Sequence, residues 1–250
     1  MEFVKFTKEN SIAVLTLNRG KVNAINEDVV EELKDCLEGV EKNPNVRAII
    51  LTGQGKFFSF GFDIPGFMNH SKEDFKRYLT KFTDLYTYLF IFPKPVIAAL
   101  NGHTIAGGCM IASACDYRIM VEGKAKISLN EITFGSSVFA GSVEMLQFCV
   151  GQKNAEKILY TGKMFSAEEA LAMGMIDQIN TEENFTNDVK AIAEEYAKKD
   201  INAFCSIKKL LRKPVHDEMI KREKKSIAEF VEIWYSPETR EQLRQIKIHS

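Results

Sequence analysis

Hydrophobic and polar positions along this chain fall into two regimes that meet near residue 140. In the first, short apolar runs alternate with longer segments of helical spacing. Residues 3–7 and 12–17 alternate apolar and polar side chains around a polar Glu9-Asn10-Ser11, which predicts a pair of strands. Val29, Val30, Leu33, Leu37 and Val40 recur at helical intervals and predict a helix over 29–40, capped by Asn26 and closed by Asn43-Pro44. Residues 46–52 form a nearly all-apolar run, the pattern of a strand covered on both faces. Helical spacing returns over 72–90, and Pro93 and Pro95 frame a second apolar strand at 95–100. This rhythm predicts an α/β core with a mainly parallel, helix-covered sheet.

Beyond residue 140 the pattern is almost wholly helical, with helices predicted at 143–149, 154–160, 167–173, 186–198, 202–211 and 215–235. Ser166 and Glu169 have the spacing of a capping box, and Gly174 ends that helix. Residues 1–190 are therefore expected to form the core and 191–250 a C-terminal helical region. The apolar positions Ile220, Ile227, Phe230, Val231 and Trp234 imply that its long last helix packs on its own core or on a neighbouring subunit.

Two glycine-bearing segments carry the candidate chemistry. Asn101-Gly102-His103-Thr104-Ile105-Ala106-Gly107-Gly108 follows the 95–100 strand and opens an apolar helix. Backbone N–H groups in a first helical turn lack internal partners and lie at the positive end of the helix dipole. Side-chain-free glycines let a ligand oxygen approach those donors, so the segment suits an oxyanion. The second segment, Gly53 to Ile64, also follows a strand. Neither has the Gly-Lys-Ser/Thr of a phosphate-binding P-loop or continues as a dinucleotide fingerprint. Glu131 lies among apolar residues in Leu129-Asn130-Glu131-Ile132. Such surroundings raise a carboxyl pKa and suit it to proton transfer near neutral pH.

Composition narrows the setting. Lys and Arg total 33 against 34 acids, so no basic field draws the chain to nucleic acid or to a membrane surface. Five cysteines without a paired Cys-x-x-Cys spacing argue for reduced thiols and against a zinc site. The N-terminus has no basic segment followed by an apolar one, and no apolar run is long enough to span a bilayer. A cytoplasmic location is the expectation.

Taken together, these pieces resemble the crotonase, or enoyl-CoA hydratase/isomerase, superfamily. The resemblance rests on Asn101-Gly102-His103 through Gly107-Gly108-Cys109 with Cys115-Asp116-Tyr117-Arg118-Ile119, and on Ser59-Phe60-Gly61-Phe62-Asp63-Ile64. It is extended by Asn23-Ala24-Ile25-Asn26 and by Thr161-Gly162 through Ala167, Ala170 and Gly174. It implies a spiral of ββα repeats, a C-terminal helical region used for trimerisation, and a homotrimer or hexamer. It also implies an acyl-CoA thioester substrate, no metal, and no cofactor beyond the coenzyme A of that substrate. By position, the main-chain N–H groups of Phe62 and Gly107 would hold the thioester oxygen and Glu131 would move the proton. Phe60, Asp63, Ile64 and Gly108 would contact substrate, and Lys56 would lie near the CoA phosphates; Arg244 and Lys247 are weaker candidates for the nucleotide.

Hydratases of this superfamily carry a second glutamate just after the glycine turn, where this chain has Met110. One carboxyl group suits a proton shuttle better than the addition of water. The pattern is similar to Δ3,Δ2-enoyl-CoA isomerases, in which one Glu takes a C2 proton and returns it at C4. Hydration, decarboxylation or hydrolysis of a thioester, and a non-catalytic scaffold of the same fold, stay open as alternatives.

Overall fold

The computed structural model describes residues 1–246. Its organising unit is a strand pair followed by a helix, wound four times. The first strands, β1 (Val4–Glu9) and β2 (Ile12–Leu17), form an antiparallel hairpin with Val4 opposite Leu17. Helix α1 (Glu27–Lys42) starts at Asn26, whose side chain accepts from the Val29 N–H at 3.1 Å, and buries Val29, Val30, Leu33, Leu37 and Val40. Glu32 on this helix accepts the backbone N–H groups of Glu2, Phe3 and Val4, pinning the N-terminal strand to it.

Each later turn of the spiral gives one strand to a large sheet and one to a small sheet. The pairs are β3 (Ala48–Gly53) with β4 (Phe57–Ser59), β5 (Val96–Leu100) with β6 (His103–Ile105), and β7 (Tyr117–Val121) with β8 (Ile127–Ser128). The large sheet runs β1-β2-β3-β5-β7-β9, with β9 at Gln178–Asn180, and the small one runs β4-β6-β8. Every pairing after the first hairpin is parallel. Between the strand pairs lie α2 (Ile64–Phe67), α3 (Lys72–Phe90) and α4 (Gly107–Ala114). The sequence pattern predicts no strand at β4, β6, β7, β8 or β9. Four of these span two or three residues, too few to show an alternation, and all five exist because a neighbour supplies their hydrogen bonds.

The sheet is covered on both faces. One core joins it to α1, α3 and α4 through Leu15, Leu33, Leu51, Phe82, Leu100 and Ile111. The other packs Ile12, Ile50, Ile97 and Ile119 against Phe185, Val189, Ala193 and Ala197 of α7 (Phe185–Ala197), a helix that runs through residue 190. The helices expected at 143–149 and 154–160 are one element, α5 (Ala140–Thr161), kinked at Gly151 where φ is 73°. Helix α6 (Ala167–Met173) has the expected capping box and a left-handed Gly174.

The two helices expected on either side of Pro214 are a single 34-residue helix, α8 (Ile201–Trp234). A proline removes one helical hydrogen bond and crowds the carbonyl four residues earlier. Here that carbonyl belongs to Leu210, which is 77% exposed, and Pro214 itself is exposed, so water can take up the freed group. Helix α8 packs on α3 and α5 of its own chain through Met219, Ile227, Phe230, Val231 and Trp234, while Ile220 is exposed. A final helix, α9 (Pro237–Arg244), lies beside the 3-10 turn Glu131–Phe134.

Candidate active site

Two loops from successive turns of the spiral meet where the small sheet ends. The first follows β4. Ser59 donates its hydroxyl to the Asn23 carbonyl at 2.8 Å and accepts the Gly61 N–H at 3.1 Å. Buried Asn23 in turn donates to the carbonyls of Gln54 and Phe57. Ile25 N–H donates to Gly61 at 2.8 Å, and Asp63 N–H donates back to Ile25 at 3.1 Å. These bonds bracket Phe62 and leave its own N–H outside the ladder. The second loop is the entry to α4, whose first helical hydrogen bond runs from Met110 N–H to the Ala106 carbonyl. Among the described residues, neither the Phe62 nor the Gly107 N–H makes a backbone hydrogen bond.

The loops touch. Gly61 has φ 91°, and a Cβ there would stand 3.1 Å from Gly107 N and 2.9 Å from Ala106 Cβ. A Cβ on Gly108 would meet the Ser59 carbonyl at 2.7 Å, so only glycine lets β4 lie against the first turn of α4. The Phe62 ring covers Gly107 and is held edge-on by Phe82, with ring centres 4.8 Å apart. Ala106 adopts φ 49° and ψ −119°, a conformation that a side chain disfavours by about 1–3 kcal/mol. The strain turns the chain so that the N–H groups of α4 face the loop after β4.

Beside these donors is a cavity of about 290 Å³, lined by Phe60, Phe62 and Ile64 of the first loop and by Ile105, Ala106 and Met110 of the second. Asn130, Glu131, Thr133, Phe134 and Ser136 form another wall, and Phe230, Trp234 and Ile246 close it from the C-terminal end of the chain. Glu131 is the only titratable side chain in that lining among the described residues. It opens the 3-10 turn, where Ser136 N–H donates to its carbonyl at 3.0 Å. Gly135, left-handed at φ 73°, ends the turn, and its carbonyl accepts the Thr239 hydroxyl of α9 at 2.7 Å. Burial pushes the Glu131 carboxyl up to about 8, only partly opposed by a bond from its own backbone N–H. Its Oε2 is buried without a hydrogen-bond partner. A carboxyl group in that state can trade a proton with a ligand near neutral pH.

The structure thus gathers Phe60, Phe62, Ile64 and Glu131 around one cavity. Four other expected residues do not line it, and of these Gly107 lies beneath the Phe62 ring, next in sequence to the lining residue Ala106. Asp63 pairs with Arg19 at 2.7 Å and caps α2 through the Gly66 N–H, facing a separate hollow of about 300 Å³ that Arg19 and Lys21 also line. Gly108 lies behind Ser59, and Lys56 is exposed on the loop before β4. Phe82, Tyr86, Phe90 and Phe139 are wholly buried core. His103 lies against the Phe57 ring at 5.0 Å, and burial holds its imidazole below the ordinary value. Arg244 pairs with Glu241 on an exposed helix end, and Lys247 lies outside the described residues. Sequence reasoning missed Asn130, Ser136, Phe230 and Trp234 as cavity residues. The only signal for the last two was an apolar spacing that also describes ordinary packing.

The profile of the family described as enoyl-CoA hydratase/isomerase matches residues 7–245. The chain belongs to this family. Among family members, it is 34% identical over 194 residues to a crotonyl-CoA hydratase of Syntrophomonas wolfei, covering 77% of this chain and 74% of that one. It is 28% identical over 221 residues to enoyl-CoA delta isomerase 1 of Mus musculus, covering 88% and 76%. The crystal structure of human mitochondrial delta3-delta2-enoyl-CoA isomerase superposes with a TM-score of 0.93 over 97% of this chain and 95% of that one, at 25% identity. No helix among the described residues is long and apolar enough to cross a membrane.

Proposed function

We propose that this family member is an isomerase that moves the double bond of a 3-enoyl-CoA to the 2-position. The observation that carries this reading is the single titratable group in the cavity: Glu131 is there, and buried Met110 stands where a second acid would be needed. In its carboxylate form Glu131 takes a proton from C2 of the bound thioester. The electron pair spreads over the thioester oxygen and the C2–C4 unit as a dienolate. The Phe62 and Gly107 N–H groups hold the oxygen that gains charge, and each such donor is worth about 3 kcal/mol of barrier in comparable sites. Glu131 then delivers the proton to C4, leaving the double bond between C2 and C3. No metal or further cofactor enters this scheme. Lys21, beside the Asp63 loop, and exposed Lys56 are the cations we assign to the phosphates of coenzyme A, since Arg19 is already paired with Asp63. A trimer or a pair of trimers is the assembly we expect, in a cytoplasmic setting.

The test is a turnover screen of purified protein on 3-enoyl-CoA and 2-enoyl-CoA. The conjugated thioester should accumulate from the first, and Glu131→Gln should lower that rate by roughly 10²–10⁴-fold. Hydration is the second reading, favoured by the higher identity to a protein named a hydratase. Water addition to 2-enoyl-CoA outpacing isomerisation would establish it instead.

A further inference from the structure

Six buried side-chain polar atoms among the described residues lack a hydrogen-bond partner, and four belong to residues lining the Glu131 cavity. Chance scatter over the chain does not concentrate them so. Glu131 Oε2 is accounted for by the proton transfer. The other three, Asn130 Oδ1, Ser136 Oγ and Trp234 Nε1, have no task in moving a double bond along a hydrocarbon. Trp234 is 1% exposed and Ser136 7%. A polar group buried unpaired is unfavourable by about 1–3 kcal/mol, and a purely hydrocarbon ligand would leave all three so.

Their chemistry describes a partner. The indole N–H only donates, the Asn130 carbonyl oxygen only accepts, and the Ser136 hydroxyl does either. A neutral oxygen that carries hydrogen matches this set in kind, accepting from the indole or the hydroxyl and donating to Asn130, although Ser136 also borders a neighbouring hollow. An anion is a poor fit, because no Lys, Arg or His lines the cavity and Glu131 does. Size adds a limit: about 290 Å³ lies at the lower end of the roughly 300–1,000 Å³ of ligand pockets, and aromatic side chains of Phe60, Phe134 and Phe230 occupy the walls.

We propose that the acyl pocket takes a short unsaturated acyl thioester whose chain carries a neutral oxygen substituent, a hydroxyl or keto group, held by Trp234, Ser136 and Asn130. This deepens the acyl-thioester reading of the same site and rests on it. Two matched short-chain 3-enoyl-CoA thioesters test it, one plain and one with a hydroxyl or keto group on the chain. Calorimetric Kd and kcat/KM are measured for both on the wild type, Trp234→Phe and Ser136→Ala. The wild type should bind and turn over the oxygenated ester better by about tenfold or more, the worth of a hydrogen bond to a buried group. In each variant the ratio of the two esters should fall towards parity. Each variant is its own reference, so a general loss of activity or folded fraction leaves the ratio readable. Preference for the plain ester, or an unchanged ratio in both variants, overturns the proposal while the isomerase reading stands. If neither ester isomerises but the Trp234-dependent binding preference is present, the isomerase reading fails and the ligand class survives. Failure of both esters to bind overturns both.

Discussion

Glu131 holds its proton to about pH 8 because burial disfavours the charged carboxylate, yet proton abstraction needs that charge. Isomerisation should therefore speed up as pH rises through about 8, and a kcat/KM profile flat across that range would contradict the assignment. The same shift acts on stability. The folded group stays protonated up to about 8, whereas the ordinary value is 4.5, so its contribution is full in acid and is lost as pH climbs through that interval. Glu131→Gln should flatten the decline of Tm between about pH 4.5 and 8. Ala106 makes a separate prediction. Ala106→Gly removes the side-chain strain at φ 49° and should raise stability by about 0.5–1 kcal/mol, read as a higher denaturation midpoint. Glu131 stood out in the sequence by its apolar neighbours together with the two glycine-bearing segments, and its burial is what the structure adds. The strain at Ala106 was not legible, since no residue type around it signals a positive φ; Gly61, which lies against it, is 45 residues earlier in the chain.

Among elements, α8 carries a proline in its middle and is anchored to the core just before it. Arg212 donates to the carbonyls of Phe90, Ala114 and Cys115 at 2.7–3.0 Å and stands 3.2 Å from Asp116, which also accepts Lys208 at 2.8 Å and the Val96 N–H. All three charged side chains are at least nine-tenths buried. Arg212→Ala would leave Asp116 and three carbonyls short of a donor, and should destabilise the fold by about 3–5 kcal/mol in chemical denaturation. Phe230 and Trp234 lie further along the same helix, so that loss would reach the cavity through α8. The helices with strong ends, α1, α3 and α6, were read to within a few residues because their caps are local. Strands β4, β6, β7, β8 and β9 escaped, since their partners lie at a distance in sequence.

Over the whole molecule, the spiral places the loops after β4 and before α4 side by side, and the C-terminal helices return to roof the cavity they form. Ile207, Leu210 and Leu211 remain 58–77% exposed on the first half of α8, an apolar stripe consistent with the trimer or hexamer proposed above. Light scattering should give three or six chains per particle; a strict monomer would remove that reading. The sequence alone determined a mainly parallel α/β core, the two glycine-bearing loops and a carboxyl group set among apolar residues, all from apolar periodicity, helix caps and residue types that act over a few neighbouring positions. The ββα spiral and the reading of Glu131 as the single acid came with the resemblance to the family. Tertiary structure alone decided that Asp63 is spent on Arg19, that Ala106 is strained, and that Trp234 and Ser136 share a wall with Glu131. Each of these is a contact between segments distant along the chain, and only packing brings such segments within a few ångströms.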